Sequence, residues 1–161
     1  MSDVGDFIER ESVHERKLAE FMQWQFVEEQ TKGSAYDYVA LDGSKVEAKF
    51  DWDSIKTGNH YLEIAQTSDN KTTWMPSGFS ISSKQADYWV VINEEWLRIF
   101  QIEVLMNFIQ KNRSNLVQKE TRNGVNYNSS GQFSKAYIIP FTELDHYCLA
   151  KIPNPIERQK S

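Results

Sequence analysis

Ala35-Tyr36-Asp37-Tyr38-Val39-Ala40-Leu41, then Asp42-Gly43-Ser44, then Lys45-Val46-Glu47-Ala48-Lys49-Phe50-Asp51-Trp52 is the stretch on which the fold turns. Two β-rich runs flank an Asp-Gly turn signal and therefore read as a hairpin. Side chains alternate along a strand, so Glu47 and Lys49 leave the same face, and Ala48 between them keeps the other face apolar. Register decides whether Asp37 joins them. With Asp42-Gly43-Ser44 as a three-residue loop, Leu41 pairs with Lys45, Val39 lies opposite Glu47, and Asp37 lies opposite Lys49, all on one face. A two-residue loop, Asp42-Gly43, would oppose Asp37 to Ala48 and send it to the wrong side. Convergence of the three polar groups therefore needs an odd loop.

Before the hairpin, Leu18, Phe21, Met22, Gln25 and Phe26 recur at helical spacing and predict an amphipathic helix over Glu11–Glu29. Glu15 projects into its apolar stripe, either because it complements the helix dipole near the first turn or because it points into a site beside the sheet. After the hairpin come a short strand, Tyr61–Ala65, and a turn-rich stretch from Ser68 to Gly78. A buried-type strand, Tyr88–Ile92, and a further strand, Trp96–Phe100, lead to a second helix over Glu103–Asn112. Gln118 to Lys135 reads as a long polar loop whose Lys119, Arg122 and Lys135 could approach a phosphate backbone. Tyr137–Phe141 is the final strand, and the tail after Pro153 is expected to fray. This order predicts an α/β (α+β) fold with a mixed central β-sheet flanked by helices.

A chain of 161 residues suits one domain, 1–161, with its core over about 11–145. With 40% hydrophobic and 25% charged residues it has ordinary globular composition. No stretch approaches the ~18 consecutive apolar residues of a membrane helix, and the amino terminus lacks the pattern of a secretory signal. The single Cys148 cannot form an internal disulfide and reads as a small buried hydrophobe, so a reducing cytoplasm is the expected compartment. A net charge of −5 argues against a protein that coats nucleic acid nonspecifically. It argues less against a nuclease, whose carboxylates are negative until divalent cations neutralise them.

Phosphodiester hydrolysis needs a polarised phosphate, an activated water and a stabilised leaving oxygen. Carboxylates holding Mg²⁺ supply the first two, and a lysine ammonium can orient the water or stabilise charge. An Asp and a Glu converging with a Lys is thus the required set, and Asp37, Glu47 and Lys49 provide it. A Glu-x-Lys alone carries little weight, since it arises by chance about once in every two chains of this length. Its place in the second strand of a hairpin, ten residues after an Asp in the first, is what raises it above chance.

In these residues the chain resembles the PD-(D/E)XK nuclease superfamily, which includes restriction endonucleases, archaeal-type Holliday junction resolvases and many phage nucleases. The resemblance spans roughly Glu15 to Asn93. It extends to Thr57-Gly58-Asn59-His60-Tyr61-Leu62-Glu63, Ser77-Gly78 and Ala86-Asp87-Tyr88-Trp89-Val90, which are similar to a phage-encoded branch. The likeness implies a restriction endonuclease-like core and a Mg²⁺- or Mn²⁺-dependent DNA endonuclease, including action on junctions or branched DNA, located in the host cytoplasm if phage-encoded. It implies that Asp37 and Glu47 bind the metal, that the Ala48 carbonyl also reaches it, and that Lys49 assists the chemistry. Glu15 from the first helix and Glu63 would complete the acidic set. Tyr36 stands where the family name has a Pro.

Two rivals stand beside this reading: a catalytically inactive nuclease-fold module that binds nucleic acid or protein, and an unrelated α+β interaction protein with an accidental Glu-x-Lys. A homodimer fits the cutting of two strands, although no residue marks an interface. His14, His60 and His146 lack zinc-site spacing and read as structural. Trp52 and Trp74 flank the site in sequence, as core or as stacking surfaces. Asp87 reads as a cap or turn before its strand.

Overall fold

The computed structural model describes residues 3–27, 35–122 and 132–157, with the side chains of 3–12 and 122 excepted. Helix α1 (Asp3–Met22) buries His14 and Leu18, four residues apart, together with Ala19. It stops seven residues before the sequence pattern suggests, because Gln23 adopts a left-handed conformation (φ 58°) and Trp24 N–H donates back to the Ala19 carbonyl at 2.9 Å. This is a Schellman-type ending. The apolar period continues past it because Trp24 and Phe26 pack on the Tyr38 ring, each with centroids 5.6 Å away, from a turn and the short strand β1 (Gln25–Phe26). Glu28 and Glu29, the end of the predicted helix, lie outside the described residues.

Strands β2 (Tyr38–Val39) and β3 (Lys45–Phe50) form the expected hairpin, with Val39 paired to Lys45 and Tyr38 to Val46. The register thus differs by two residues from the predicted one. The loop is Leu41-Asp42-Gly43, closed by Ala40 N–H to the Ser44 carbonyl (2.8 Å) and Gly43 N–H to the Ala40 carbonyl (2.9 Å). Gly43 at φ 87° takes the left-handed position such a loop requires. The loop count stays odd, but the strand pairing ends at Tyr38 with Val46, and Asp37 N–H donates to the Val46 carbonyl at 2.8 Å instead of pairing opposite Lys49.

The one-turn helix α2 (Ser54–Thr57) leads into β4 (Asn59–Thr67), a nine-residue strand much longer than predicted. Strand β5 (Met75–Pro76), helix α3 (Phe79–Ser82), strands β6 (Tyr88–Ile92) and β7 (Trp96–Gln101), and helix α4 (Ile102–Asn112) follow. The chain continues through β8 (Val117–Arg122), β9 (Phe133–Pro140), helix α5 (Phe141–Leu144), a 3₁₀ turn and β10 (Ala150–Pro153). The strands make two sheets. Six form a mixed sheet in the order β1-β2-β3-β6-β7-β10, and four form an antiparallel sheet in the order β5-β4-β9-β8. Among the described residues, β3 and β6 are the only parallel neighbours in the mixed sheet. Asp87 clamps that pair: its carboxylate accepts from Lys45 N–H (2.9 Å) and its own N–H donates to the Lys45 carbonyl (2.7 Å).

The six-stranded sheet is covered on both faces, which explains the unbroken apolar run of β6. Val90 and Ile92 join Val46, Ala48, Leu18 and Leu97 in one core, under α1. Trp89 and Val91 join Leu62, Phe100, Leu105, Tyr137 and Ile139 in the other, between the two sheets and α4. The architecture is therefore mixed α and β around a mixed central sheet, with a second sheet and few helices.

Tyr137–Phe141 is not the final strand, since β9 ends at Pro140 and β10 follows it, and three more expectations need correction. The predicted loop over 118–135 is mostly a strand pair, β8 with β9; its middle, 123–131, lies outside the described residues. The tail does not fray directly after Pro153, because Ile156 is 2% exposed in the first core and Asn154 braces it with hydrogen bonds to its carbonyl and N–H. Cys148 is half-buried rather than buried; burial pushes its thiol pKa up, and Sγ donates to the Ala150 carbonyl at 2.9 Å. Among the described residues no helix is long and apolar enough to cross a membrane.

Candidate functional site

Glu47 and Lys49 leave β3 on the face that meets the second sheet, beside Trp89 and Val91 of β6. Asp37 stands one residue before β2, its N–H donating to the Val46 carbonyl at 2.8 Å. Its Oδ2 accepts from Ala48 N–H at 3.3 Å, continuing the β2–β3 ladder where the backbone of β2 has stopped. In a strand the N–H and C=O of one residue point to the same neighbour, so the Ala48 carbonyl opens on the edge that holds the Asp37 carboxylate. Glu47 is 5% exposed. Burial, together with a hydrogen bond to Asp37 and that group's charge, lifts its pKa to about 9, against the opposing pull of Lys49. Lys49 Nζ stands 3.7 Å from Glu47 Oε1, and Ser82 Oγ donates to Glu47 Oε2 at 3.4 Å. Asp37, Glu47 and Lys49 thus form one continuous cluster.

Across the gap between the sheets, β4 supplies Glu63. Lys49 and Glu63 line one cleft of about 210 Å³ together with Asp51, His60, Tyr61 and Trp89. Gly78 makes this approach possible. It has φ 53°, and a Cβ there would lie 2.7 Å from the Glu63 carbonyl oxygen and 2.9 Å from Glu63 Cβ. The glycine that starts α3 therefore seats Glu63, while the last residue of the same helix, Ser82, reaches Glu47.

Glu15 stands differently from the other predicted residues. Since α1 begins at Asp3, Glu15 is well inside the helix and complements no first turn. It lies with α1 on the opposite face of the sheet. Its backbone carbonyl accepts from Tyr38 O–H at 3.0 Å, and its charge, after burial and Asp37, helps raise the Tyr38 hydroxyl pKa. That hydrogen bond holds the Glu15 backbone against Tyr38, a residue of the core beneath α1.

Sequence reasoning missed the floor of the cleft. Asp51 follows Glu47 and Lys49 in the same period-2 alternation, so its face was readable. His60, treated as structural, is 1% exposed and bonds at both nitrogens: Nδ1 to Asp51 Oδ2 at 3.0 Å, and Nε2 to the Trp89 indole N–H at 3.0 Å. Nothing local in the sequence joins these three residues, nor Ser82 to Glu47. Trp52 is core, packed on His14 and Phe50. Trp74 carries the Lys135 ammonium 4.3 Å from its ring centroid.

Among the described residues no group of three or more His, Cys, Asp and Glu side chains is arranged to hold a metal ion. The donor set present is two carboxylates and one backbone carbonyl. That set suits Mg²⁺, which keeps several waters and is commonly held by only one or two carboxylates with substrate phosphate oxygens. No protein-family model, no curated protein and no solved structure matches this chain.

Proposed function

We propose that this protein is a Mg²⁺- or Mn²⁺-dependent nuclease that hydrolyses DNA phosphodiester bonds at the Asp37–Glu47–Lys49 cluster. The observation that carries this reading is a buried carboxyl, Glu47, next to Ala48, whose N–H is held by the Asp37 carboxylate at 3.3 Å, with a lysine 3.7 Å away. Two neighbouring carboxylates, one of them buried, repel until a proton or a cation neutralises them. Asp37, Glu47 and the Ala48 carbonyl would hold the cation, which when bound polarises the phosphate and acidifies a water. Lys49 would orient that water or neutralise charge developing on the phosphate. Glu63, from the other wall of the cleft, completes the acidic surround. Hydrolysis would proceed by in-line attack without a covalent enzyme intermediate.

The test is cleavage of linear, nicked, flapped and four-way-junction DNA with Mg²⁺ or Mn²⁺, comparing wild type with Lys49→Ala and Glu47→Gln. Both variants are expected to lose at least about 100-fold in rate, the scale set by removing one group that stabilises a transition state. The preferred substrate identifies the mode of cutting. Binding without cutting by the wild type would instead make the protein an inactive nuclease-fold module.

A further inference from the structure

We infer that Asp51, His60 and Trp89 form a positioning chain that fixes where Lys49 stands in the cleft, an inference that rests on reading Lys49 as the cation of a hydrolytic site. The indole N–H can only donate, so His60 Nε2 must carry a lone pair. The single imidazole proton is therefore on Nδ1, donated to Asp51 Oδ2 at 3.0 Å. With both nitrogens engaged, His60 is no proton acceptor for a substrate. What it does is orient its neighbours.

The rings cannot turn freely. Phe141 stacks on His60 (6.2 Å, 24°), and Phe79 meets Trp89 edge-on (5.2 Å, 86°). Trp89 is 1% exposed, and Lys49 Nζ sits 5.6 Å from its ring centroid. The Lys49 side chain is 43% exposed, and a long side chain so placed samples many rotamers unless something supports it. The loose pair with Glu47 is one support and the indole face is the second. The circuit closes on its own strand, since Asp51 lies two residues beyond Lys49 on the same side of the chain. Asp51 thus acts on Lys49 through His60 and Trp89, and all four line the cleft.

The experiment compares Asp51→Ala with Asp51→Asn by NMR and by cleavage. In the wild type, long-range ¹⁵N correlations should show the Nδ1–H tautomer of His60, and the Lys49 ε-methylene protons should be displaced upfield by the indole ring current. Asp51→Ala frees the tautomer, so the displacement should fall by about half or more and the cleavage kcat by about tenfold, with DNA affinity held within about twofold. Asp51→Asn keeps an oxygen that accepts from Nδ1–H and should restore both readouts, which a merely structural or purely charge-based role would not produce. An unmoved Lys49 resonance in Asp51→Ala, or its loss in both variants, overturns the chain. Should the alanine variant fail to fold, His60→Phe, which keeps the stack on Phe141 and removes both hydrogen bonds, makes the same prediction. If the wild type cuts no nucleic acid with either metal, the nuclease reading fails while the NMR arms still decide the positioning.

Discussion

At the scale of the residue, the behaviour of Glu47 follows from where its carboxyl is held. Burial and Asp37 raise its pKa from 4.5 to about 9. An acid whose pKa rises on folding binds more protons in the folded than in the unfolded state between those values, so its effect on stability is neutral below about 4.5 and increasingly unfavourable as pH rises toward about 9. Glu47→Gln mimics the protonated form at every pH. Without divalent cations, its melting temperature at pH 8 should exceed that of wild type by about 2–8 °C, the effect of ~1–2 kcal/mol in a domain of this size, and the gap should close toward pH 5. A gap independent of pH, measured by scanning calorimetry, would refute the assignment. The shared face of Glu47 and Lys49 was legible because strand periodicity is local. The proton affinity was not, because it depends on what covers that face.

At the scale of the element, the hairpin was legible and the second sheet was not. Asp-Gly between two β-rich runs specified the turn, although the pairing slipped by two residues and Asp37 meets β3 through its N–H to the Val46 carbonyl and its carboxylate to Ala48 N–H. Strand β8 reads as loop because Val117-Gln118-Lys119-Glu120-Thr121-Arg122 lies at a sheet edge and shows little apolar alternation; even Val117 is 63% exposed. The junction of β4 with α3 gives a sharp test of element packing. Gly78 and Gly58 both have positive φ, 53° and 72°, but a Cβ at Gly58 meets nothing within 4 Å while one at Gly78 strikes Glu63. Gly58→Ala should cost about 1 kcal/mol from backbone strain alone, and Gly78→Ala about 2–4 kcal/mol. Urea denaturation separates the two, and equal losses would mean that Glu63 is not seated by Gly78.

At the scale of the whole molecule, one mixed sheet serves two cores, and the site lies on the face that looks toward the second sheet. Sequence patterning gave the continuous β6 strand its buried character, yet it could not say which strands would pair, because pairing joins segments far apart in the chain. The same blindness hid the closing segment. Asn154-Pro155-Ile156 looks like a polar exit, but Ile156 fills the core beneath α1. Ile156→Ala should therefore destabilise by about 2–4 kcal/mol, as expected for a large aliphatic side chain removed from a packed interior. A chemical melt unchanged from wild type would return the tail to the solvent. The indole that floors the cleft has an optical consequence as well. Trp89 is screened from water, tied at its N–H to an imidazole, and lies 5.6 Å from the ammonium of Lys49. Its emission should be blue relative to that of an exposed indole, and a charge entering the cleft should perturb it. The difference in fluorescence between wild type and Trp89→Phe then gives the site a built-in dye, readable before any substrate is known.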